Sequence, residues 1–256
     1  MKVIISAHTD KGNIKDTNQD SYLVRNLDVN NRNFVVAAIA DGMGGHSQGE
    51  LASSSIINAI KTWSVSVLPN MIFNGLDDQN FKNAVKNLID KKNSDIKFYG
   101  KKNNITIGST LTLLLLTDDR YYIANVGDTR AYEITDNNIR IITKDQTLVQ
   151  REVDRGIITK EQAKTDERKS VLLQSIGTSI EVYPDFYFGD TRKDTVFLLC
   201  SDGFRHEISN YEILNMLSPS NNISENEMKN NLVELIELNK QRQERDNITA
   251  LSILIK

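Results

Sequence analysis

AAIADGMGGHSQGELASS, residues 37–54, ends an apolar run abruptly in an aspartate and follows it with four glycines in eight residues before a helical pattern begins. Asp-Gly is ordinary turn chemistry, and a plain turn is one reading of the stretch. The other is a place where backbone and carboxylate must both come close to something small and charged. The surrounding chain bears on the choice.

Short, strongly apolar segments recur on both sides of this stretch. VIISAH (3–8), FVVAAIA (34–40), STLTLLLLT (109–117), YYIANV (121–126), RAYEI (130–134), IRIIT (139–143), TVFLLCS (195–201) and ITALSILI (248–255) have the length and composition of strands with at least one buried face. The four between 109 and 143 follow one another closely and predict an antiparallel meander. Helices fill the gaps. Ser47 with Glu50, Ser209 with Glu212 and Ser224 with Glu227 have capping-box spacing, as do Thr147 with Gln150 and Thr159 with Gln162. Leu51, Ala52, Ile56, Ala59, Ile60 and Trp63 share one helical face. Phe81, Ala84, Val85, Leu88 and Ile89 share another, and Met228, Leu232, Leu235 and Ile236 a third. Trp63 and Met228 at such spacing read as core. The asparagine- and lysine-rich stretch 91–104 reads as a polar connection. Strands interleaved with paired helices predict an α+β fold, and the pattern leaves open whether sheets pack on each other or on helices.

Composition narrows the function. The 256 residues are 39% hydrophobic and 25% charged, with 3 prolines, enough for a sizeable core without a linker. A net charge of -3 offers no footprint for nucleic acid or an anionic membrane. A single cysteine, Cys200, excludes an internal disulfide and fits a reducing, cytoplasmic setting. The opening MKVIISAHTDKG is too short an apolar run for a signal peptide, and LTLLLLT is too short to span a bilayer.

Aspartates stand at the ends of the most apolar runs. Asp41 follows FVVAAIA, Asp128 follows YYIANVG, Asp202 follows TVFLLCS, Asp246 precedes NITALSILI, and Asp20 opens DSYLV. Each alone reads as a turn or cap. Delivered together to one sheet edge, they would form a negative cluster that is costly unless cations neutralise it. The candidate donors are oxygens, with no Cys or His at zinc spacing, so Mg²⁺ or Mn²⁺ is the implied ion. His8 and His206 read as structural, while His46 is left open by its place in the glycine loop.

Taken in order, TDKGNIKDTNQDS (9–21), DGMGGHSQGELAS (41–53), GST (108–110), NVGDTRAY (125–132), TKDQTLVQREVDRGIITKEQA (143–163), VLLQSIG (171–177), CSDGF (200–204) and DNITALSI (246–253) resemble the bacterial metal-dependent serine/threonine protein phosphatases of type 2C. The resemblance covers essentially the whole chain. It implies a four-layer sandwich, two antiparallel sheets flanked by helices, forming one catalytic domain over 1–256 with a flap near 144–180. By the same resemblance Asp41 bridges two Mn²⁺ or Mg²⁺ ions, the Gly42 carbonyl binds one, and Asp202 and Asp246 bind the other. Asp20 supports the pair, and Asp128 with Asp202 would hold a weaker third ion. The implied activity is hydrolysis of phosphoserine and phosphothreonine on proteins by a hydroxide generated between the ions. Lys15 and His46 are the implied substrate-binding residues, and Lys15 joins Asp41 and Asp202 in the catalytic set. A partner serine/threonine kinase, a monomeric state and no membrane or nucleic-acid partner follow by analogy. Three positions depart from the family pattern. Lys15 replaces the usual phosphate-gripping arginine, Met43 stands where eukaryotic members carry a histidine, and Asp166–Glu167 replace a common His-Pro. Lys15 has a second reading, as a solvated surface lysine. The rival functions are a pseudophosphatase that binds phosphoproteins without turnover and a two-metal nuclease. The complete aspartate set argues against the first and the missing basic patch against the second.

Overall fold

The computed structural model describes residues 1–29, 32–45 and 48–256. The chain runs β1 (Val3–Asp10), β2 (Asp20–Val29), β3 (Arg32–Gly44), α1 (Gly49–Ser66), α2 (Leu68–Phe73), α3 (Asp78–Asn103), β4 (Ile107–Ser109), β5 (Leu111–Leu116) and β6 (Arg120–Val126). It continues through β7 (Arg130–Ile134), β8 (Ile139–Ile141), α4 (Leu148–Asp154), α5 (Lys160–Thr165), β9 (Asp185–Asp190), β10 (Thr195–Cys200), α6 (Asp202–Arg205), α7 (Asn210–Leu217), α8 (Glu225–Gln241) and β11 (Ile248–Ile255). One antiparallel sheet has the order β1-β11-β10-β7-β8, the other β2-β3-β5-β6-β9 with β4 paired to the end of β3.

Side-chain alternation along the strands builds the layers. In β3, Val35, Ala37 and Ile39 point between the sheets, where they meet Leu114, Ile123, Phe197, Leu199, Leu251 and Ile253. Val36, Ala38 and Ala40 point the other way, onto Ile56, Ile60 and Trp63 of α1 and Phe81, Val85 and Ile89 of α3. The second sheet repeats the scheme. Tyr132, Val196, Leu198 and Ala250 pack under Ile213 and Leu217 of α7 and Met228, Leu232 and Leu235 of α8. A strand covered on both faces needs apolar residues at odd and even positions alike, which is why these segments read as continuous runs. The result is the expected four-layer α+β sandwich, and Trp63 and Met228 lie in its core. Cys200 is a buried free thiol. Among the described residues no helix is long and apolar enough to cross a membrane.

Three expectations are corrected or relocated. The meander over 109–143 breaks after β6. β5 pairs with β6 and β7 with β8, but β7 belongs to the other sheet, beside β10. Gly127, at φ 98°, turns the chain between sheets in a region that side-chain-bearing residues rarely adopt. Apolar runs report burial of faces and not the identity of edge neighbours, and here β9 takes the second edge of β6. The stretch 91–104 is also no connection. It is the second half of α3, where Asn93, Ile96 and Gly100 continue the buried face and Asn104, at φ 53°, ends it. Finally, α1 starts from Gln48 without a side-chain cap, and Ser47 of the expected capping box lies outside the described residues. The boxes at Ser209, Ser224 and Thr159 are present, and Thr147 accepts from the Gln150 amide.

Candidate metal centre

Both sheets deliver aspartates to one edge. Asp20 opens β2 and stands in register opposite Asp41 of β3. In the other sheet β10 runs out at Cys200, and Asp202 opens α6 directly after it. Asp246 lies two residues before β11, the neighbour of β10. Asp128 occupies the crossover between β6 and β7. Asp20, Asp128 and Asp202 are buried, while Asp41 and Asp246 are half-buried.

The electrostatics show that these groups share one space. Burial, followed by the charges of Asp20, Asp202, Asp128 and Asp246, pushes the Asp41 carboxyl well above the usual carboxylate range. Burial, with the charges of Asp202 and Asp246 added, pushes Asp20 up to about 7 against hydrogen bonds from Thr249 and Ser201. Asp128 is likewise pushed up to about 7, by burial and then by Asp202, while Arg205 pulls the other way. Lys15 faces the same cluster, with Nζ 2.9 Å from Asp246 Oδ1. Partial burial disfavours its charge, but the Asp246 hydrogen bond and the charges of Asp41 and Asp202 outweigh that and raise its pKa. Lys15 is therefore paired to a carboxylate and is not a simple solvated lysine.

The glycines have a steric reason. A Cβ on Gly42 would lie 2.2 Å from the Gly49 carbonyl oxygen and 2.7 Å from the Gln19 carbonyl oxygen. β3, the start of α1 and the loop before β2 cross here backbone against backbone, with Gly42 N–H donating to Gln19 O at 3.1 Å. Asp41 itself is pinned on both sides, because its N–H donates to Thr110 Oγ1 and its carbonyl accepts from Thr110 N and Ser109 Oγ, each at 2.9 Å.

Residues with little or no warning in the sequence complete the surroundings. Asn247 accepts from Gln19 N–H at 2.9 Å and donates to the carbonyls of Lys11 and Thr17, tying the 11–19 loop to Asp246. Thr249 Oγ1 donates to Asp20 Oδ2 at 2.6 Å. His206 stands with Nε2 3.4 Å from Asp202 Oδ2 and Nδ1 3.2 Å from Glu244 Oε2, a bridge that orients Asp202. Asp145 and Arg205 lie behind Asp128. Adjacency to SDGF and to Asp246 was the available signal for Arg205, His206 and Asn247; Asp145 and Glu244 carried none. His46 lies outside the described residues.

The donor set fits a hard cation. Asp20 Oδ1 and Asp202 Oδ1 are buried without a hydrogen-bond partner among the described residues, a costly arrangement that a cation would relieve. The oxygens of Asp20, Asp41, Asp202 and Asp246 and the Gly42 carbonyl could hold Mg²⁺ or Mn²⁺. The set is a loose one: among the described residues no three His, Cys, Asp or Glu side chains converge into a finished cage.

Comparison with known proteins agrees with this architecture. The family model for protein phosphatase 2C matches residues 7–237. Serine/threonine phosphatase stp of Listeria welshimeri is 29% identical over 220 residues, covering 85% of this chain and 84% of that protein. The structure of serine/threonine phosphatase Stp1 from Staphylococcus aureus superposes with a TM-score of 0.86 at 28% identity, over 100% of this chain and 96% of that one. The catalytic domain of the serine/threonine protein phosphatase PstP, solved in complex with 2 manganese ions, superposes with a TM-score of 0.80 at 28% identity over 99% of both chains. A match of that length to the family model, on a fold whose sheet edges gather the aspartates described above, places the chain in the protein phosphatase 2C family of metal-dependent enzymes.

Proposed function

We propose that this protein phosphatase acts on phosphoserine and phosphothreonine of proteins through two divalent cations, Mn²⁺ or Mg²⁺, held by Asp41, the Gly42 carbonyl, Asp20, Asp202 and Asp246. One observation carries the reading: four aspartates from two different sheets converge on one edge, and two of their buried oxygens have no hydrogen-bond partner among the described residues. The PstP catalytic domain with its manganese ions supports it. When bound, such ions acidify a shared water and neutralise phosphate oxygens.

The chain's own groups set the geometry. Thr110 and Ser109 fix the Asp41 backbone, and Thr249 fixes Asp20. His206, backed by Glu244, holds Asp202. Lys15 gives the cluster a mobile cation, which can leave Asp246 for the dianionic phosphate of the substrate. Met43 carries no ionisable proton, so it takes no part in protonating the leaving alkoxide. The segment 144–180 selects among peptide substrates, and the whole of 1–256 serves as one catalytic domain. A kinase acting on the same proteins, a monomeric state and a cytoplasmic setting complete the proposal. Its test is a panel of phosphoserine, phosphothreonine and phosphotyrosine peptides assayed with Mn²⁺ and then with chelator. Metal-dependent release from the first two supports the reading, and turnover that survives the chelator contradicts it.

A further inference from the structure

Asp128 has surroundings unlike those of the other strand-end aspartates. Behind it Asp145 receives Arg130 Nε and Nη2, each at 2.7 Å, a bidentate fork. Asp145 also receives Arg205 Nη2 at 3.2 Å. The same Nη2 donates to the Asp128 carbonyl at 3.0 Å and stands 3.9 Å from Asp128 Oδ2. Arg205 Nε has no acceptor among the described residues. The Arg205 side chain is 12% exposed, that of Asp128 7% and that of Asp145 9%.

The charges of this group close on themselves. Arg130 and Arg205 cannot lose their protons, and they face two carboxylates, Asp145 and Asp128, so the four side chains sum to zero with nothing added. The neighbouring group is the opposite case. There Asp20, Asp41, Asp202 and Asp246 face Lys15 and, behind Asp202, His206, and two of their oxygens have no partner among the described residues. Buried carboxylates require compensation; Asp128 has a guanidinium facing it, although burial and the charge of Asp202 still hold its pKa up at about 7, whereas two oxygens of the second group have no partner among the described residues.

We propose that Arg205 is the built-in counter-charge of Asp128, standing in for a third divalent cation, so that this protein operates with two ions. The inference rests on the two-ion reading above and adds a restriction to it. A divalent ion approaching the Asp128 carboxylate meets a fixed guanidinium in a buried place where screening is weak. Asp145 does not release that guanidinium, because doing so would leave a buried arginine short of its partner.

The experiment counts Mn²⁺ bound to the full chain by equilibrium dialysis with metal analysis, alongside a circular-dichroism check of folding. Wild type is expected to bind two ions at up to millimolar free Mn²⁺. Arg205→Met keeps the length but removes the charge, and is expected to bind a third ion at least about tenfold more tightly than wild type. Adding Asp128→Asn to Arg205→Met removes that ion, and Arg205→Lys retains the wild-type count. A wild type that binds three ions of similar affinity overturns the proposal, even where Arg205→Met does not fold. So does a folded Arg205→Met with the wild-type count. A wild type that binds no Mn²⁺ overturns the two-ion reading itself, and this inference with it.

Discussion

Replacing Gly42 with alanine tests whether the glycines after Asp41 are steric necessities. The added Cβ would lie 2.2 Å from Gly49 O, 2.5 Å from Gly49 C and 2.7 Å from Gln19 O. All three atoms are backbone, so no side chain can rotate away. The start of α1 or the loop before β2 must move instead. Overpacking costs about 1–3 kcal/mol, and three backbone contacts this short put Gly42→Ala at the upper end, about 3 kcal/mol. For a chain of this size that corresponds to a loss of roughly 6–12 °C in melting temperature. The matched control is Gly45→Ala, whose Cβ would meet nothing within 4 Å among the described residues. It should stay within about 0.5 kcal/mol of wild type. The assay is a circular-dichroism melt of the three proteins in chelator. Because the clash pushes Gly42, next to Asp41, against Gln19, next to Asp20, Mn²⁺ affinity should fall in Gly42→Ala and hold in Gly45→Ala. A Gly42→Ala melt within about 2 °C of the Gly45→Ala melt refutes the reasoning.

Lys15→Ala should raise KM about tenfold while changing kcat less, the lower end of a charge-assisted hydrogen bond for a half-exposed lysine, and Lys15→Arg should restore it; unchanged KM in both would mean that Lys15 never meets the phosphate. The Asp20 carboxyl, pushed up to about 7 by burial and then by its acidic neighbours, binds a proton in the folded chain at pH values where the unfolded chain does not. Stability from that proton is full at the acid end and is lost as pH rises through about 7, so the metal-free protein should melt higher near about pH 5 than near about pH 8. His206, its pKa raised despite burial by Glu244 and Asp202, adds to the trend, and Asp20→Asn should flatten part of it; an unchanged slope counts against the assignment. Deleting 150–168 should alter preference among phosphopeptides more than hydrolysis of a small aryl phosphate. α5 buries none of its residues, and the Thr147–Leu172 bridge holds the base of the segment together. Equal loss on both substrates would remove the segment from substrate selection.

The sandwich was legible because its central strands are covered on both faces, which writes β3, β5, β6, β10 and β11 as continuous apolar runs. Edge strands write a weaker signal. β2 (DSYLVRNLDV) and β9 (DFYFGD) are half-exposed along most of their length, and neither was read as a full strand. The second half of α3 was hidden for a related reason: KKNSDIKFYGKKN places few apolar residues among many lysines and asparagines, and its burial rests on Ile96, Asn93 and Gly100. Asp41, Asp128, Asp202 and Asp246 were visible because each stands at the end of such a run, while Asp20 opens the edge strand β2. Their partners were not, since Asp145, Arg205 and Glu244 are single charged residues whose meaning arises only when the crossover after β6, the start of α6 and the approach to β11 are folded together. For Lys15 the family resemblance implied a contact with substrate phosphate, while its contact with Asp246 became visible only in the fold.

The central claim is that the aspartates gathered at the sheet edge act through divalent cations as one catalytic unit. The most direct measurement is the turnover of a phosphothreonine peptide at saturating Mn²⁺ by wild type, Asp41→Asn and Asp202→Asn, each first shown to be folded. Because a ligand and its ions act as a unit, each substitution should lower the rate at least about a hundredfold, and chelator should abolish the wild-type activity. Wild-type rates in either folded variant, or full activity in a metal-free preparation, would contradict the account.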